Sequence, residues 1–144
     1  MTFIDKHPDL TLHQRVVLFH EVFNQPVPNA PTMDAPMKAH HRKIMREEYM
    51  ELEDAADDND MVEFVDGLVD TLVTAHSRAA GHGLNLDKFI PFVTESNMSK
   101  LGEDGKPVYY DNGEKAGKGP NYFAPTELIK AEIERQRREG SHYE

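Results

Sequence analysis

The segment Glu47-Glu48-Tyr49-Met50-Glu51 carries three carboxylates, and Glu63, Asp66 and Asp70 carry three more a short way downstream. If both stretches are helical, Glu48 lies about 40° to one side of Ile44 and Glu51 about 20° to the other, with Ala55 between them. Met37, His41, Ile44, Leu52 and Ala55 form the apolar side of that helix, so two acids point where the core points. A charged carboxylate on such a line is costly unless it is paired or metal-bound. On the next helix Glu63, Asp66 and Asp70, at spacings of three and four, stack within about 60° of one another, where like charges repel. Two facing acidic strips suit a hard divalent cation on oxygen ligands, Mg²⁺ first and Mn²⁺ second, and do not suit zinc. The plain alternative is a solvated acidic face. Against it stands the combination of a core-facing pair, a tight turn and a matching acidic line.

The elements that must position these acids are helical. Leu12, Val16, Phe19 and Phe23 recur at spacings of four, three and four behind Thr11, a cap candidate, and predict helix one over about 11–24. Four prolines between Gln25 and Pro36 forbid regular helix and give a stiff connector. Helix two is predicted over about 37–56. The turn Asp57-Asp58-Asn59-Asp60 then brings helix three back against it, with Met61, Val65, Leu68, Val69, Leu72 and Ala79 as its apolar face and Gly81-His82-Gly83 as its stop. A fourth helix, capped at Asn85 or Asp87 and carrying Phe89, Ile90, Val93 and Leu101, tolerates Pro91 only near its first turn. Residues 102–125 lose all periodicity and form a Gly/Lys-rich loop, with a short hairpin at Val108–Gly113 as its one regular suggestion. A last helix is predicted from Thr126 to about Arg138. Residues 1–10 are read as an arm and 139–144 as a flexible tail, giving one domain over 1–144: an all-α, four-to-five-helix bundle.

With 26 acidic and 16 basic residues the chain carries a formal charge of −10, a field that repels nucleic acid. The absence of cysteine removes thiolate metal sites, disulfides and a cysteine nucleophile. No apolar run is long enough to cross a membrane, so the expectation is a cytoplasmic protein without membrane partner. The mean hydropathy of −0.66 implies a thin core and helix faces buried against a second copy, as a homodimer or a dimer of dimers. Gly113-Glu-Lys-Ala-Gly117-Lys118-Gly119 is one residue short of a P-loop and lacks its Ser or Thr. An EF-hand frame from Asp54 would need glycine at Asn59. No inward Glu-x-x-His pairs support a di-iron bundle, and His40-His41 is read as a helix-surface pair.

Glu47-Glu48-Tyr-Met-Glu51-Leu52 and Glu63-Phe-Val-Asp66-Gly-Leu-Val-Asp70 resemble the two acidic motifs of the all-α nucleoside triphosphate pyrophosphohydrolases, which include the MazG-like proteins, dimeric dUTPases and phosphoribosyl-ATP pyrophosphohydrolases. Glu95-Ser-Asn97-Met-Ser-Lys100-Leu101, Asp104-Gly-Lys106 and Lys118-Gly-Pro-Asn-Tyr122 resemble the C-terminal part of the MazG-like branch, and the likeness covers about residues 12–130. One position departs from the pattern: the usual second-motif glutamate falls on Gly67, so Asp66 or Glu63 must substitute. The resemblance implies Mg²⁺-dependent hydrolysis of a (d)NTP at the α-phosphorus to a (d)NMP and pyrophosphate. It implies Glu48, Glu51, Asp66, Asp70 and Glu63 as metal ligands and Glu47 as the group that positions or deprotonates water. Asn97, Lys100 and Lys118, with Lys106 and Lys115 nearby, would meet phosphates. Tyr122, Phe23, Asn24 and Gln25 would meet the base. The competing expectation is a non-catalytic acidic helical binding or adaptor protein.

Overall fold

The computed structural model describes residues 1–110, 112–113 and 117–142. Asp111, in the expected hairpin, and Lys115, in the expected phosphate-binding set, lie outside the described residues. Among those described, the regular structure is helical: α1 (Phe3–Lys6), α2 (Leu12–Val22), α3 (Lys38–Asp57), α4 (Met61–Gly81), a 3₁₀ turn (Leu86–Lys88), α5 (Ile90–Met98) and α6 (Thr126–Glu139). The chain divides into two compact units, Met1–Asp87 with Arg135–Glu144, and Lys88–Glu134.

In the first unit each long helix starts where a side chain can satisfy its free N–H groups. Thr11 Oγ1 accepts from the Gln14 N–H at 3.2 Å while Gln14 Oε1 accepts from the Thr11 N–H at 2.9 Å, a reciprocal cap worth about 1 kcal/mol. Asp60 Oδ1 accepts from the N–H groups of Val62 and Glu63, both at 3.1 Å, and starts α4. The three-residue turn before it, with Asn59 at φ +55°, returns α4 antiparallel against α3. Gly67 makes the close approach of α3 and α4: a Cβ there would lie 3.1 Å from Leu52 Cα and 3.2 Å from its Cβ. Any larger side chain at 67 would press on the facing helix.

The core is small and unusually polar. Val16, Val17 and Ala80 form its centre, with Leu12, Val27 and Val73 against them. The face of α2 that points inward is His13, Val16, Val17 and His20. The expected face is corrected accordingly: Val16 is buried, but Phe19 and Phe23 stack on each other outside, their centroids 4.3 Å apart. Apolar periodicity misplaces the stripe because histidines fill two of its inward positions. The helix-surface reading of His40-His41 is corrected too, since His41 is buried and only His40 is exposed. On α4, Met61, Val62, Val65, Leu68, Val69 and Leu72 stay exposed, while Gly67, His76, Ala79 and Ala80 turn inward.

The proline-rich connector is tied at both ends of the unit. Thr32 and His82 exchange two hydrogen bonds, Thr32 N–H to His82 O at 2.9 Å and His82 Nδ1–H to Thr32 O at 2.8 Å. Asn29 Oδ1 accepts from the N–H groups of Ser141 and His142 at 3.1 and 3.3 Å. His142 Nε2 donates to the Pro28 carbonyl, which leaves His142 Nδ1 as acceptor for His13 Nε2–H at 3.2 Å. Ser141 and His142 belong to the stretch expected to be a flexible tail, yet both are buried. Asp87, proposed as a helix cap, instead accepts from the His13 N–H at 3.1 Å and meets His76 Nε2 at 2.9 Å. Burial pushes its carboxyl up, but these two hydrogen bonds outweigh burial and hold it below the usual range.

In the second unit Pro91 sits in the first turn of α5, where its missing N–H costs nothing. Leu101 lies beyond that helix. The Gly/Lys-rich stretch is stitched by backbone bonds, Gly102 N–H to Lys106 O at 2.8 Å and Gly117 N–H to Val108 O at 2.5 Å. Gly119 N–H reaches Lys100 O at 2.9 Å, so close that a Cβ at 119 would fall 2.1 Å from Leu101 O.

Candidate active site

Adjacent antiparallel helices α3 and α4 bring the first-motif and second-motif acids together around Glu48. Burial of the half-buried Glu48 carboxyl pushes it above the usual carboxylate range, and the charges of Asp70, Glu51, Asp66 and Glu47 push it the same way. Two of these four come from its own helix and two from α4. Such convergence, in which no described basic group lowers the Glu48 carboxyl, gives the electrostatics of a cation site, and its all-oxygen donors fit Mg²⁺ or Mn²⁺ in chemistry. As the side chains stand, no three of His, Cys, Asp and Glu among the described residues are gathered closely enough to enclose an ion. Mutual repulsion favours that spread.

Glu47 reaches outward, with Lys43 Nζ 3.8 Å from its Oε1, a surface pair of little energetic weight. Glu63 stands in the first turn of α4, where a negative charge also favours the helix dipole. Asn24 has a structural task. At φ +54° it ends α2, its N–H bonded to Glu21 O at 3.2 Å, and its side chain is exposed. Its neighbour Gln25 lines a cavity with His20 and His41, which sequence reasoning did not find.

The second unit pairs the other candidates. Lys100 Nζ donates to Asn97 Oδ1 at 3.0 Å, Lys118 Nζ lies 4.7 Å from the centre of the Tyr122 ring, and the Gly119–Lys100 backbone bond joins the two pairs. Lys106 is exposed, its N–H held by Asp104 Oδ1 at 3.0 Å.

The model of the phosphoribosyl-ATP pyrophosphohydrolase family matches residues 16–97, more than half of the chain and the whole of both acidic motifs. The chain belongs to this family. A solved structure from Exiguobacterium sp. 255-15, itself assigned only provisionally as an NTP pyrophosphohydrolase, is similar over 90% of this chain and 98% of its own, with 21% identity and a TM-score of 0.48. No protein of curated function matches. For a pyrophosphohydrolase-family chain, the described residues contain no helix long and apolar enough to cross a membrane.

Proposed function

We propose that this protein is a Mg²⁺-dependent nucleoside triphosphate pyrophosphohydrolase, cleaving a (d)NTP to a (d)NMP and pyrophosphate. The observation that carries the reading is the elevated Glu48 carboxyl at the centre of four further acids on two facing helices, within the stretch matched by the family. Glu48, Glu51, Asp66 and Asp70 would hold the ion, with Glu63 as a further ligand and Mn²⁺ as the alternative metal. When bound, Mg²⁺ supplies neutralisation of the phosphate charge and polarisation of the bond to be broken. Glu47, outside the crowded centre and open to solvent, orients a water and takes its proton as the water oxygen bonds to the α-phosphorus. The bond from that phosphorus to the α,β-bridging oxygen breaks, and the electron pair leaves on pyrophosphate. Asn97, Lys100 and Lys118 offer polar and cationic groups to phosphates, and Tyr122 a stacking face.

The exposed α4 stripe from Met61 to Leu72 supports self-association as a homodimer or a dimer of dimers, because a continuous apolar strip of this length is rarely left to water. A cytoplasmic site of action is part of the same proposal.

The test is incubation with Mg²⁺ and a panel of dNTPs and NTPs, with pyrophosphate and orthophosphate measured separately. Pyrophosphate release that disappears in Glu48→Gln supports the proposal; no pyrophosphate from any substrate refutes it. The open arrangement of the carboxylates favours one second reading, a non-catalytic acidic binding protein. In that case Glu48→Gln with Asp70→Asn leaves Mg²⁺ affinity unchanged.

A further inference from the structure

Ser141 and His142 close onto the proline-rich connector through one imidazole. His142 is 3% exposed and uses both ring nitrogens: Nε2–H donates to the Pro28 carbonyl, and Nδ1 accepts from His13 Nε2–H at 3.2 Å. The two rings stack with centroids 5.1 Å apart. Two backbone contacts accompany them, from the Ser141 and His142 N–H groups at 3.1 and 3.3 Å, and both go to the same acceptor, Asn29 Oδ1. The imidazole is therefore the main anchor of the strap.

A carbonyl only accepts, so this arrangement fixes where the protons are: His142 and His13 each carry one on Nε2, and both rings are neutral. An additional proton has two lone pairs to enter. His13 Nδ1 is shut inside the unit without a hydrogen-bond partner; the Ser141 carbonyl favours a proton there but lies outside hydrogen-bond geometry. A charge at that atom would be buried and unpaired, which is costly. The other lone pair, on His142 Nδ1, is the acceptor for His13. A proton there sets two N–H groups against each other and breaks the bond.

The structure also gives a charged His142 somewhere to go. The residue lines a cavity of about 380 Å³ together with Glu21, Gln14 and Leu18 of α2 and with His7 before it. Burial is the largest influence keeping His142 neutral and His20 adds to it, while the Pro28 carbonyl and the Glu21 charge favour the protonated ring. His13 is held neutral by burial first and by His142 next, with Asp87 on the 3₁₀ turn opposing and His76 on α4 adding to the depression. We propose that the His13–His142 contact is an acid-operated latch: a proton taken up at His142 Nδ1 turns the ring out of its seat into the cavity beside Glu21, and the strap leaves the connector while the helices stay folded. With the ring gone, the two amide bonds to one Asn29 oxygen are all that remain of the contacts described. The connector is then held by the Thr32–His82 pair, and it leads directly into α3, the helix of Glu48. The latch thus sets how firmly the entry to that helix is held, whether or not the acid cluster is catalytic.

The experiment is NMR of the ¹⁵N-labelled full-length protein between about pH 7.5 and about pH 5, reading the ring nitrogens of His13 and His142 and the hydrogen-exchange protection of backbone amides. Protection is referred to an unstructured chain at the same pH, so that the chemistry of exchange cancels. His142 should pass from the Nε2–H tautomer to imidazolium before His13 does, and protection at Ser141 should fall at least about tenfold further than at Ala80 in the core. His142→Gln, whose carboxamide can both donate and accept but does not titrate, should remove that extra loss. Glu21→Gln should move the transition to lower pH by about 0.3 units, since it deletes the charge that favours the released ring. Protonation of His13 first with Ser141 still protected, equal losses at Ser141 and Ala80, or a Ser141 amide unprotected even at neutral pH overturns the proposal. So does an unchanged pH dependence in His142→Gln or an unmoved transition in Glu21→Gln. The readings on the unmodified protein decide the matter even where a variant does not fold.

Discussion

Lowering the pH from 6.5 to 4 should destabilise the first unit through its histidines. Burial depresses His13 to about 4, helped by the adjacent His142 and His76 and opposed by Asp87 and the Ser141 backbone. Burial depresses His41 to about 4 as well, with His20, His40, His82 and Arg78 adding to it. The unfolded chain binds these protons near 6.5, so between the two values it holds more protons than the folded chain, and stability falls as the pH falls. Each group loses about 1.4 kcal/mol per pH unit across 2.5 units (6.5 minus 4), roughly 3 kcal/mol. Together they approach roughly 6 kcal/mol, a large share of the roughly 5–15 kcal/mol typical of a whole domain. His20 and His142 are depressed too and steepen the loss. Glu48 acts oppositely: its elevated carboxyl favours the folded state on protonation and offsets part of the loss at the acid end. Asp87 is depressed below 3.8 and is spent only beyond this window. Urea denaturation at half-unit steps from pH 7 to 4.5 reads the slope. His41→Phe should flatten it by about 1.4 kcal/mol per pH unit. A slope indistinguishable from zero between pH 6.5 and 4.5, or one unchanged in His41→Phe, refutes the reasoning.

Glu48→Gln removes like-charge contacts worth about 0.2–0.5 kcal/mol each, so without metal its melting temperature should rise by about 2–5 °C, while the rise caused by 10 mM Mg²⁺ in the unmodified protein should vanish. Calorimetry with and without Mg²⁺ checks both signs. Gly67→Glu should lower stability by about 3 kcal/mol or more because even a Cβ meets Leu52 at 3.1 Å; a denaturation midpoint within error of the unmodified protein would contradict the packing described. Lys100→Ala should raise KM for a nucleoside triphosphate about tenfold with little change in melting temperature, since its Asn97 partner is exposed; steady-state kinetics and a thermal melt separate the two effects.

The helices were legible because their ends are written in local chemistry. Thr11, the Asp57–Asp60 turn and Pro91 mark boundaries without help from the rest of the chain, and the structure adds Gln14 as the partner of Thr11. Spacings of three and four on two adjacent helices also carried the expectation of facing carboxylates, and the structure places Asp70, Glu51, Asp66 and Glu47 near enough to Glu48 to push its carboxyl up without gathering three of them around one point. What apolar periodicity could not show is that histidines serve as core. His13 and His20 flank Val16 and Val17 at helical spacing, and that pattern was the available signal, but it becomes readable only when imidazole is counted as an inward residue. Phe19 and Phe23 carried the opposite signal and turned out to cover the surface. The glycine at 67 was visible in the sequence; the close approach of α3 at Leu52 that it permits was not.

The burial of Ser141 and His142 against Asn29, Pro28 and His13 makes these two residues part of the wall that holds the connector. Affinity handles and fluorescent fusions therefore belong at Met1, which stands free in solvent. A bulky group introduced at His142 would break the strap formed with Pro28, Asn29 and His13. Removing the last four residues should loosen that strap before it disturbs any helix, so a trimmed chain would keep its helical spectrum and become easier for a protease to cut between Gln25 and Pro36.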